Sequence, residues 1–235
     1  MSIETTPARR RRTAQDARAD AVAAARQILL AEGPAAITLK AVAKMLGMSH
    51  ANLLHHFGSA GGLQLALMTS MVADLSAALQ GAVDSVTNGL APPESLVDIV
   101  FEAFDEGGAG RLAAWLVLTG ATEQLQPIRE QIEALVAALQ KPIVPLGPEA
   151  VDGVRLRVLN VTYQAFADAL LGGLLHEMLG LPADAALALT KKSALESLAG
   201  GSIEYAWPPG LNFLKVGAFP RSWRLANLAL GKASI

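Results

Sequence analysis

Cysteine is absent from all 235 residues, so neither a disulfide framework nor a thiolate zinc site is available to this chain. Charge is scarce as well: Asp, Glu, Lys and Arg make up 17%, against 52% apolar residues and a positive mean hydropathy of 0.36. That balance excludes an intrinsically disordered chain and calls for a large buried core, in one substantial domain or two small ones. No uninterrupted apolar run reaches the ~20 residues of a membrane helix. Residues 45–73 carry no Asp, Glu, Lys or Arg, but histidines, Asn52, glycines and serines break them up. The opening MSIETTPARRRR has no apolar stretch of the kind a secretion signal needs. The expectation is a cytoplasmic protein without a membrane partner.

What is present is concentrated in residues 38–63, TLKAVAKMLGMSHANLLHHFGSAGGL. Thr38 is placed to cap one short helix, on which Leu39, Val42, Ala43 and Leu46 form an apolar face. Gly47 follows at the position where a left-handed C-cap suits glycine. Ser49 is placed to cap a second helix, with Leu53 and Phe57 four residues apart on its inner side. His50, Ala51, Asn52, His55 and His56 are left for its outer faces. Two short helices joined by a tight turn are a shape that places one helix in the DNA major groove. A small, neutral, hydrogen-bonding N-terminal end suits the reading of base edges.

These residues resemble the tetracycline-repressor (TetR) family of bacterial regulators. ADAVAAARQILLAEG, ITLKAVAKMLGMS and HANLLHHFGSAGGL correspond to the family's first three helices and its Leu-Tyr-x-His-Phe-x-x-Lys-like signature. The similarity covers roughly residues 14–70, and His56 matches the signature histidine. Leu54 replaces the usual tyrosine and Ala60 the usual lysine, both common phosphate contacts in the family. The resemblance implies an all-α fold: an N-terminal three-helix helix-turn-helix DNA-binding domain and a C-terminal helical ligand-binding and dimerisation domain. It implies the boundaries 1–13 for a basic arm, 14–62 for the DNA-binding head and 63–200 for the body. Residues 201–235 form an extension with two tryptophans and no clear amphipathic period. A docked extension, a lid and an extraneous translated segment fit it equally.

Charge is distributed unevenly along the chain. Residues 1–60 hold eight Lys/Arg against four Asp/Glu, a balance of +4, whereas residues 61–200 hold seven against sixteen, a balance of −9. A basic head on an acidic body fits a DNA-binding regulator. Arg9, Arg10, Arg11 and Arg12 repel one another and stay extended, either tracking phosphates or a narrow minor groove or forming a solvated tail. The expected DNA contacts are these four with Thr38, Lys40, Lys44, Ser49, His50, Ala51, Asn52, His55 and His56.

Beyond the head the pattern is helical, punctuated by Gly and Pro. Helices are expected over 63–86, 94–106, 111–119, 127–140, 149–180 and 182–199, with a proline loop at 142–148. Residues 158–175 are apolar almost all round, so they require cover on every side. A second copy of the chain is the economical source of that cover. Leu159, Leu170, Leu174, Leu187 and Leu195 are the expected dimer contacts. Gly172 and Gly173 cost helix stability there, which a close neighbouring backbone or a kink beside a pocket would explain. Met68, Met71, Phe101, Phe104, Trp115, Tyr163 and Phe166, with Arg111, Gln164 and His176 as polar groups, are candidates for lining an apolar effector site.

No enzymatic constellation, metal site or cofactor is expected. His55 and His56 are adjacent, about 100° apart on a helix, and cannot chelate one ion as an i, i+4 pair would. His176 and Glu177 share that defect, while Glu102, Asp105 and Glu106 read as a solvated face. The expected function is a homodimeric transcriptional regulator, a repressor of a palindromic double-stranded operator released by a small apolar effector. The alternative is a helical small-molecule-binding or adaptor protein with weakened DNA binding.

Overall fold

The computed structural model describes residues 14–120 and 126–198, and those residues form helices and turns without a strand. The alanines of α1 (Ala14–Glu32) set its inner face: Ala17, Ala21, Ala24 and Ala25 are buried with Ile28 and Leu29. Small side chains there let neighbouring helices approach closely. A 3₁₀ turn over Pro34–Ala36 leads into α2 (Leu39–Leu46) and α3 (His50–Phe57). Both expected caps form. Thr38 Oγ1 accepts from the Ala41 N–H at 3.0 Å, and Ser49 Oγ accepts from the Asn52 N–H at 3.2 Å. Gly47 adopts the left-handed conformation at φ 63° between them. Leu39, Val42, Ala43, Leu53 and Phe57 all point inward and are buried.

Ser59 supplies a third cap, accepting from the Gly62 N–H at 3.0 Å, so α4 (Ala60–Thr87) begins three residues before the periodicity suggests. Leu63, Leu67, Met68 and Met71 of α4 join the inner faces of α1, α2 and α3 in one buried cluster. That cluster continues through Leu112 and Leu116 of α6 (Ala109–Leu118) to Ile128 of α7 (Gln126–Gln140). The head and the first body helices therefore share a single core.

A second cluster is smaller. Val97 and Phe101 of α5 (Ser95–Phe104) meet Ala165 of α8 (Pro148–Ala167), with Leu187 and Ala194 of α10 (Ala185–Leu198) packed against them. Lys191 Nζ on α10 reaches Asp98 Oδ1 on α5 at 2.5 Å. The expected proline loop is instead a 3₁₀ turn over Lys141–Leu146.

The one long helix expected over 149–180 is interrupted. Asp168–Gly172 form a π turn between α8 and α9 (Gly173–Leu179). By length and composition alone, α4 and the rod Val151–Leu179 are each long and apolar enough to cross a membrane. On α4, Leu63, Leu67, Met68, Met71 and Leu79 are buried. Much of the rod's apolar surface is exposed in the single chain: Leu156, Leu159, Tyr163, Leu170, Leu171, Leu174, Leu175 and Met178.

Candidate nucleic-acid interface

On the head, Lys40, Lys44, Ser49, His50, Ala51, Asn52 and His55 are exposed together with Thr38, and His56 is half-buried. The hydroxyls of Thr38 and Ser49 are engaged in their helix caps, so these two residues hold the turn as well as border the surface. Arg9, Arg10, Arg11 and Arg12 lie outside the described residues, as does the 201–235 extension.

Positive charge near α3 is thin. No Lys or Arg occurs between Lys44 and Asp74. Leu54, at the usual tyrosine position of the signature, is 44% exposed. Two further arginines face the protein. Arg26 Nη2 lies 2.8 Å from Asp74 Oδ2, joining α1 to α4 across the surface. Arg18 Nη1 donates to the His56 carbonyl at 2.7 Å, and its guanidinium lies 4.6 Å from the centre of the Phe57 ring.

One residue that periodicity did not single out also holds the head together. Gln64 is buried on α4 and its Nε2 donates to the Ile37 carbonyl at 3.1 Å, just before α2. A lone glutamine in an apolar stretch was the available signal.

Residues 21–67 match the family of bacterial regulatory proteins, tetR family. Residues 21–67 carry a TetR-family regulator domain. The chain also resembles the crystal structure of a TetR-family transcriptional regulator from Pectobacterium atrosepticum, with a TM-score of 0.59 at 20% identity. That likeness covers 80% of this chain and 95% of the other, and it concerns the fold. No curated protein matches the chain. A TetR-family regulator domain at residues 21–67 supports a DNA-binding transcriptional regulator.

The body divides the ten expected effector residues among several environments. Met68 and Met71 lie in the core shared with the head. Phe101 and Phe104 belong to the second cluster, and Phe166 meets Phe104 edge-on with ring centres 6.3 Å apart. Arg111 and Trp115 are half-buried on α6, whereas Tyr163 is 65% exposed and Gln164 is exposed. A groove of about 560 Å³ runs between α1, α4 and α7, past Arg18, Val22, Ser70 and Gln131, and includes none of the ten. Helical spacing marks a buried face without saying which layer will cover it, and that is why the methionines and the phenylalanines separate.

His176 belongs to an arrangement the sequence reading missed. Eight residues separate it from Asp168, and a straight α-helix would set them about 80° apart. The wider π turn absorbs roughly that excess. His176 Nε2 and Asp168 Oδ1 then stand 3.5 Å apart, both largely buried. The Asp168 carboxylate lies over Gly172, where a β-carbon would collide with it. Burial raises the Asp168 pKa above the usual carboxylate range; His176 opposes that shift and Asp105 adds to it. Close packing also marks the spot from outside, since a β-carbon on Gly110 of α6 would come within 3.0 Å of Ala169 Cβ.

Among the five expected dimer leucines, Leu159, Leu170, Leu174 and Leu195 are exposed in the single chain. Leu187 is half-buried against the second cluster of its own chain.

Proposed function

We propose that the protein is a homodimeric repressor. Its head, residues 14–62, reads a palindromic operator, and its body, residues 63–200, takes up a small apolar effector that releases the DNA. The observation that carries the reading is the outer surface of α3. His50, Ala51, Asn52 and His55 stand exposed on a helix whose start is fixed by Ser49 and whose inner side is anchored by Leu53 and Phe57. Lys40, Lys44 and the arginine arm are assigned to the DNA phosphates, while Asn52 offers its amide to an adenine edge.

Dimerisation through α8, α9 and α10 would cover the leucines left exposed there and bring two heads to successive major grooves. Effector uptake is assigned to the neighbourhood of Phe101, Phe104 and Phe166, bordered by Arg111, Trp115, Gln164, Tyr163 and His176. Met68 and Met71 would carry its influence to the head through the shared core. The effector acts as a population shift, favouring a body conformation in which the two heads no longer fit the operator together.

The test is selection of operator duplexes from a random pool, followed by Asn52→Ala. That change is expected to cost about 1–3 kcal/mol on the selected duplex and to relax preference at one base pair per half-site. An unchanged preference matrix removes Asn52 from base reading. Leu54 and Ala60 favour a second reading, a helical small-molecule binder or adaptor with weakened DNA affinity. Failure to enrich any duplex even at low salt would select it.

A further inference from the structure

We propose that Arg18 is a positioning residue for the recognition helix, clamping the C-terminal end of α3 onto α1, and is not a phosphate contact. The inference rests on the reading of α3 as the DNA-facing helix. An α-helix leaves its last carbonyls without intrahelical partners. At the end of α3, the Leu54 carbonyl accepts from the Gly58 N–H at 2.8 Å. The His56 carbonyl accepts instead from Arg18, thirty-eight residues earlier in the chain. A cation at this end also complements the negative pole of the helix. The same guanidinium stacks over Phe57, the buried anchor of that end, so one side chain grips both final residues of the helix.

The opposite side of that terminus is closed too. The Phe57 carbonyl sits where a β-carbon on residue 62 would be, so only glycine lets α4 start there. An eight-residue helix has little stability of its own, and its orientation is set by what holds its two ends. Ser49 holds the first and Arg18 the second. A planar guanidinium donates and stacks at once, which a lysine ammonium does not reproduce.

Two measurements on the full-length protein test this. Without DNA, amide hydrogen exchange at residues 55–58 is expected to quicken about tenfold in Arg18→Ala, the loss of one charge-assisted hydrogen bond. With the duplex selected by the wild type, Arg18→Ala and Arg18→Lys should both bind roughly tenfold more weakly while the slope of log K against log salt stays at the wild-type value. A phosphate contact predicts otherwise: a slope shallower by about 0.9 per head in the alanine variant, and near-wild-type affinity with lysine. Either of those results, or unchanged exchange at residues 55–58, overturns the proposal. If the wild type enriches no duplex, the DNA-reading function fails, while the exchange rates still decide whether the clamp exists.

Discussion

Gln64 occupies a position in α4 where a leucine would satisfy the apolar pattern. Its amide is there because the Ile37 carbonyl is buried beside it and would otherwise lack a donor. Gln64→Leu is therefore expected to cost about 1–3 kcal/mol in chemical denaturation despite the gain in apolar surface. An unchanged midpoint would mean that the carbonyl finds another donor. Asp168 presents the opposite case, a carboxylate whose burial is only partly compensated. Its folded-state pKa lies above the ordinary carboxyl value, so the folded protein holds this proton more tightly than the unfolded chain does. That contribution to stability is complete below the ordinary carboxyl pKa and is lost as pH rises through the raised one. Asp168→Asn should accordingly melt higher than wild type at pH 7, with the advantage gone below about pH 4. A lower melting temperature at pH 7 would show that the contact with His176 outweighs the desolvation.

At the scale of elements, the caps and turn of the head were legible because they depend on atoms three or four residues apart. Thr38, Gly47 and Ser49 behave as their local chemistry demands. Arg18 was not legible in that way, since its partner comes from a distant helix, and neither was the π turn. The paired glycines at 172 and 173 hinted at an irregularity, but its form depends on Asp168, His176 and the packing of Ala169 against α6. The outward face of the α8–α9 rod was read correctly as apolar, and its cover gives a further prediction. If a second copy supplies it, the protein should sediment as a dimer at micromolar concentration. Leu174→Arg should then yield a folded monomer or an unfolded chain, because an unpaired charge would be buried at the interface. A wild-type monomer at high concentration would remove the interface from this face.

On the scale of the whole molecule, a nearly uncharged α3 that reads DNA as proposed would have to borrow its attraction for the duplex. Arg18 and Arg26 are engaged with the protein itself, which on that proposal would leave Lys40, Lys44 and the arginine arm as the main donors of charge. Replacing Arg9, Arg10, Arg11 and Arg12 together with alanine should make the salt slope shallower by about 2–4 units per arm with base preference retained. An unaltered slope would identify the arm as a solvated tail. The core that runs from α1 through α4 to α6 and α7 has a consequence for transplantation. A hybrid regulator made by cutting this chain after residue 62 and grafting a foreign head would sever that core at Leu63, Leu67 and Met68. Its two halves would present surfaces that never met before. A graft that keeps α1 to α4 together and recuts α6 to fit is the smallest interchangeable piece, so on the proposed reading specificity would be inherited with the scaffold and not as a detachable module.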